Sequence, residues 1–110
     1  MGKEFLKGKR IAYIGGVDSM VRYYRRCVEN WGGVFHHHRG KSAQGKEAVE
    51  RVINTADAIF CPLNINSHYA CSMVKNACKR SGKPVYFLRT SSISAFRNAL
   101  VKWGRSLQSA

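Results

Sequence analysis

Short strand-like runs at residues 11–14, 34–38, 58–61 and 85–88 alternate with longer segments in which apolar residues recur every three or four positions. No other feature constrains the chain as tightly. The run at 58–61 has no polar alternation, as expected of a strand buried on both faces, and the helix-length intervals are what parallel connections require. The pattern predicts an α/β fold: a single doubly wound domain, Rossmann-like or flavodoxin-like, whose four-stranded parallel sheet is flanked by helices. Right-handed crossovers leave few arrangements, and the order 2-1-3-4 is the expected one.

The helical stripes follow directly. Met20, Val21, Tyr24, Cys27, Val28 and Trp31 line one side of a first helix, with Arg22, Arg25, Arg26 and Glu29 opposite. Asp18 or Ser19 is expected to cap it, and Gly32 with Gly33 to end it. Ala48, Val49, Val52, Ile53 and Ala56 mark a second helix with Asp57 at its end. Pro62 is expected to stop the third strand, and Asn66 or Ser67 to cap a helix whose apolar side is Ala70, Met73, Val74, Ala77 and Cys78. Ser91 or Ser92 then caps a last helix carrying Ile93, Phe96, Leu100 and Trp103. The domain is expected over residues 9–104, with a basic N-terminal tail at 1–8 and a C-terminal tail at 105–110. Periodicity leaves open whether Phe96 and Trp103 pack on the sheet or on another subunit of a homo-oligomer.

A chain of 110 residues, 45 % hydrophobic and 23 % charged, has a globular balance and supports one modest core, not a second. Its charge is lopsided. Nineteen Lys and Arg face six Asp and Glu, a formal +13, and every Lys, Arg, Asp or Glu after Asp57 is basic. Such a surplus points to an acidic or phosphate-bearing partner. No apolar run is long enough for a membrane span, and the start MGKEFLKGKR lacks a signal-peptide core, so a cytoplasmic location is expected. Cys27, Cys61, Cys71 and Cys78 include no CxxC pair and are read as reduced thiols.

In an open parallel sheet, ligands bind outside the carboxyl ends of the strands. The residues expected there are unusually polar. Gly15, Gly16 and Ser19 follow the first strand; their loop would offer free N–H groups to an anion, although it matches neither GxGxxG nor the P-loop pattern and also suits a simple turn. Arg89 with Ser91 and Ser92 sets a guanidinium fork beside a serine-capped helix start, and His68 opens the helix on the same edge. Together Gly15, Gly16, Ser19, His68, Arg89, Ser91 and Ser92 are the candidate anion-binding set. The alternative leaves them as a turn, a cap, a surface charge and a loop histidine.

His38, Cys61 and His68 form a second candidate set, three potential ligands for zinc or haem iron. His36, His37 and His38 alternate faces on a strand, so at most two share a side, and His36 and His37 suit a polar strand end better than a metal. Cys61 alone reads as a small core residue, and Cys71 and Cys78 as helix packing. A Cys61/His68 nucleophile and base is the weakest of the readings, since scarce carboxylates leave little else for acid–base chemistry and only Asp18 or Asp57 could lie near the crevice.

Three stretches carry a resemblance: the strand ending in Gly-Gly, then GGVFHHHRG, then ADAIFCPLNINSHYACSMVKNACKRSGKPVYFLRTSSISAF. Over about residues 10–103 the sequence resembles the bacterial domain of unknown function 2325 family, chiefly through Ser67-His68, the Lys75 helix, Gly82-Lys83-Pro84, Arg89 and Ser91-Ser92. The resemblance implies a small Rossmann-like bacterial domain, with a His often kept at the position of His68 and a varying residue at that of Cys61. It implies no activity.

Aromatics interleave with bases in Arg22-Tyr23-Tyr24-Arg25-Arg26, and Arg39 and Lys41 follow the second strand. Arg22, Tyr23, Arg25, Arg26, Arg39 and Lys41 are therefore the candidate nucleic-acid contacts. No helix-turn-helix, zinc-finger or RNP signature supports base-specific readout. The expected function is that of a small basic binding or regulatory domain recognising a phosphate-bearing partner, nucleic acid without sequence specificity, a nucleotide or another polyphosphate, at the carboxyl ends of the strands, with an enzyme the less favoured class. The alternative is a metal- or haem-binding sensor or redox domain built on Cys61, His68 and His38.

Overall fold

In a computed structural model, residues 2, 4–39, 45–64 and 68–108 are described. The elements are β1 (Arg10–Ile14), a 3-10 turn (Asp18–Met20), α1 (Val21–Glu29), β2 (Val34–His38), α2 (Gly45–Thr55), β3 (Ala58–Pro62), α3 (His68–Ser81), β4 (Val85–Leu88) and α4 (Ile93–Gln108). All strand pairs are parallel and the order is β2-β1-β3-β4, as the alternation of runs predicts.

Period-two alternation divides the core into two layers. Ile11, Tyr13, Phe35, Ala58, Phe60 and Leu88 face α1 and α4, where they meet Tyr24, Val28, Phe96, Leu100 and Trp103. Ala12, Ile14, Ile59 and Cys61 face α2 and α3 against Val49, Ile53, Met73, Val74, Ala77 and Cys78. The handedness rule explains the split. The chain leaves β1 for β2 on one side and returns past β1 to β3 and β4 on the other, so α1 falls on one face and α2 and α3 on the opposite one. Helix α4 then covers what α1 leaves bare. Phe96 is 0 % and Trp103 4 % exposed on the sheet, so both belong to this subunit's own core.

The first layer is aromatic at its centre. Tyr13 and Tyr24 stack at 4.1 Å, and Phe96 meets them edge-on at 4.9 and 5.7 Å. Each such pair adds about 0.5–1.5 kcal/mol beyond the area it buries. Gly15 and Gly16 both turn with positive φ, 95° and 86°, and the stack accounts for the second. A Cβ on Gly16 would stand 2.7 Å from Tyr13 Cε1, so only glycine lets the chain turn so closely over the ring.

Several boundaries differ from those read in the sequence. Neither Asp18 nor Ser19 caps α1; Asp18 enters the 3-10 turn, and its carboxylate faces Arg39 Nε at 3.8 Å. Pro62 is the last residue of β3 rather than its stop. Ile59 N and Leu63 N donate toward β4, so the Pro62 nitrogen faces β1, past the last β1–β3 pair, and its missing N–H breaks no ladder bond.

The ends are not tails where described. Leu6 is 0 % exposed, its N–H donates to Trp31 O at 2.7 Å, and Phe5 packs edge-on against Trp31 and over buried Gly104. Helix α4 continues to Gln108. Asp57 stands at the amino end of β3, away from the crevice: its Oδ2 accepts the Arg10 N–H at 2.7 Å, and its own N–H donates to Arg10 O at 2.7 Å. Ser92 does cap α4, its Oγ accepting the Ala95 N–H at 3.1 Å. The expected α3 caps Asn66 and Ser67 lie outside the described residues.

Candidate functional site

Helices α1 and α4 both start at the carboxyl edge of the sheet and run back over the same face. Their starts are tied together. The Tyr24 hydroxyl donates to Ser91 O at 2.6 Å, and the imidazole Nε2 of His37 bonds Gly15 O at 2.8 Å while Gly15 N donates to His38 O at 2.7 Å. The loops after β1, β2 and β4 are thus joined into one edge.

That network also occupies much of the candidate anion set. Gly15 and Gly16 make the turn over Tyr13, Ser91 supplies the carbonyl that Tyr24 grips, and Ser92 caps α4 while its N–H donates to Thr90 Oγ1 at 3.3 Å. Ser19 and Arg89 are exposed on this edge. His68 begins α3; its side chain lies outside the description, as does Lys41.

Of the candidate metal ligands, Cys61 is 0 % and His38 7 % exposed. The two share the α2/α3 face, and the register His38↔Ile14 sets Ile14 between them, two strand spacings apart or about 9.5 Å. Burial, with His37 adjacent, holds the His38 imidazole below the usual histidine range. Among the described residues no group of three or more His, Cys, Asp or Glu stands together as a metal site.

Of the candidate nucleic-acid residues, Arg22, Tyr23, Arg25 and Arg26 are on the outer side of α1, whereas Arg39 follows β2 and faces Asp18, and Lys41 lies outside the described residues. Arg22, Arg25 and Arg26 are exposed, and Tyr23 is 38 % exposed. The Arg25 guanidinium lies 5.1 Å over the Phe35 ring; Arg22 lies 4.9 Å over Tyr23 and donates to its hydroxyl at 3.1 Å. Among the described residues the ion pairs are Arg10–Asp57, Arg39–Asp18, Lys46–Glu50 and Arg80–Glu50. None uses a cation of α1 or α4.

Between α1 and α4 runs a groove of about 310 Å³. One wall is Tyr23, Arg26 and Cys27 of α1 with Asn30 and Trp31 just past its end, and the α4 wall is Ile93 and Arg97, one turn apart. Arg26 and Arg97 therefore stand on opposite walls of an aromatic and aliphatic floor. Burial pushes the Cys27 thiol up, and the Arg97 charge nearby opposes that shift. Cys27 and Trp31 look like core positions in the sequence and are half-buried at the border of the core instead. Arg97 carries no sequence signal beyond its position on α4, because its place opposite Arg26 depends on which face α4 covers.

Residues 10–103 match the family described as uncharacterized protein conserved in bacteria (DUF2325). The chain belongs to that family. The matched span begins with the first residue of β1 and reaches Trp103 in α4, so it contains the whole sheet and both walls of the groove. No curated protein matches the chain. Among the described residues no helix is long and apolar enough to cross a membrane.

Proposed function

We propose that this DUF2325 protein is a nucleic-acid-binding domain that holds the phosphate backbone, without reading sequence, on the outer face of α1 and α4. One observation carries the reading: Arg22, Arg25, Arg26 and Arg97 are exposed on one side of the sheet, and none is neutralised by an ion pair among the described residues. The formal charge of +13 favours the same polyanionic partner. Cations held this way release counterions when a polyanion docks, which supplies affinity independent of base identity. Arg25 over Phe35 and Arg22 over Tyr23 are partly ordered before contact, so less side-chain freedom is lost on binding. Helix α1 has nine residues and presents mainly charge, and no base-reading motif accompanies it.

The test is fluorescence polarisation with a labelled oligonucleotide over a salt series. Binding should be strong near ~50 mM salt and fall steeply by ~200 mM, with each of Arg22→Gln and Arg25→Gln lowering the log–log slope by about 1 for any sequence. Absence of binding at ~50 mM salt, or wild-type slopes in both variants, overturns the reading.

A further inference from the structure

From the groove between α1 and α4 we infer that the polynucleotide is bound single-stranded, with an unpaired base inserted between Arg26 and Arg97. The inference rests on the nucleic-acid reading above and adds a strand preference that the basic face alone does not require. Exposed arginines attract duplex and single strand alike, because both offer phosphates. A cleft with aromatic walls is different: only a base released from pairing can enter it.

The groove has what such a base needs. Its volume of about 310 Å³ is at the small end of ligand pockets, and Tyr23 and Trp31 bring ring surface to it. Tyr23 is held by Arg22 through a hydrogen bond and a cation–π contact, and Trp31 by Phe5, so both rings are set before a base arrives. Asn30 lies on the same wall and presents both donor and acceptor to a base edge. Arg26 and Arg97 meet the flanking phosphates from opposite sides. A purely apolar partner would leave these two guanidiniums desolvated without counter-charge, which is costly.

The experiment compares one labelled oligonucleotide, alone and annealed to its complement, at constant low salt. Wild type should prefer the single strand, and its Trp31 emission should be quenched by that strand and unchanged by the duplex. Tyr23→Leu should weaken the single strand about tenfold, the usual scale for losing one stacked base, and move duplex binding less than twofold, whereas Arg97→Gln removes a phosphate contact and should weaken both forms. Addition of single strand should also slow alkylation of Cys27, read by peptide mass, with Cys71 as the internal reference. Both substituted residues are exposed, and unchanged circular-dichroism melts identify a folded variant. Equal losses on both forms in Tyr23→Leu, or no quenching and no protection of Cys27, overturn the single-strand inference while leaving the basic-face reading standing. A mononucleotide that protects Cys27 when the oligonucleotide does not also overturns it. Absence of binding to either form overturns both readings.

Discussion

The Tyr24 hydroxyl reaches from the first turn of α1 to the carbonyl of Ser91, immediately before α4, and closes on it at 2.6 Å. Through this bond the two helices that wall the groove keep their spacing at the carboxyl edge of the sheet. The ring beneath is stacked on Tyr13 at 4.1 Å, so the same residue is both part of the core and a strut between loops.

Tyr24→Phe removes the strut and keeps the stack. Loss of one partly buried hydrogen bond should cost about 1 kcal/mol, and a domain of this size should melt about 4 °C lower. A thermal denaturation curve superimposable on wild type would show that the bond carries no stability.

Gly16→Ala combines a positive φ of 86° with a Cβ that would sit 2.7 Å from Tyr13 Cε1. The loop or the stacked rings must shift, and a loss of about 2 kcal/mol or more is expected. Gly82→Ala shares the positive φ but meets nothing within 4 Å, so it should cost only the backbone strain of about 1 kcal/mol. Chemical denaturation of the two variants separates collision from strain, and equal losses would remove the collision from the account.

Asp57→Ala and Arg10→Ala break the same pair from opposite sides with different results. The Arg10–Asp57 ion pair is 3.9 Å long and largely exposed, worth about 0–1 kcal/mol, so Arg10→Ala should be nearly neutral. Asp57 Oδ2 also accepts the main-chain N–H of Arg10 at 2.7 Å, a bond that Arg10→Ala keeps and Asp57→Ala loses. The latter should be the more destabilising by about 1 kcal/mol in urea titrations.

The lowered His38 pKa has a definite sign. Between its folded value and the ordinary ~6.5, the unfolded chain holds a proton at this position that the fold does not, so stability rises with pH. Acidification through ~6.5 should therefore destabilise the protein, and His38→Gln should flatten that part of the stability–pH curve. Identical slopes in the two proteins between about pH 7.5 and 5.5 would assign the dependence elsewhere.

Strands 34–38 and 85–88 could be located from sequence to the residue, because each is bounded by glycine, proline or a charged loop. Handedness narrowed the sheet order to a few arrangements, and the expected 2-1-3-4 is the one observed. The groove was not legible in the same way. Tyr23 and Arg26 form a visible side of α1, yet their counterpart on α4 is decided by the need to cover Phe60, Tyr86 and Leu88, which no local period encodes. Gly16 could be read as part of an anion loop since its reason, the Tyr13–Tyr24 stack, joins residues from two elements. Phe5 and Leu6 were hidden for the opposite reason: two apolar residues among lysines show no period, although Leu6 is completely buried. Asp57 was misread because a helix end and the following strand start lie at the same edge, opposite the crevice.

The Phe5 ring lies directly on Gly104, so a segment near the start of the fold and its last helix are immediate neighbours. A short linker could bridge them, and the chain could be opened at Gly82, where the helix-to-strand turn is exposed and a Cβ meets nothing within 4 Å. Such a circular permutant would make α4 precede β1 in sequence. Helix α4 and α1 would then be separated by only one strand, and the two walls of the groove would become near neighbours along the chain as well as in space.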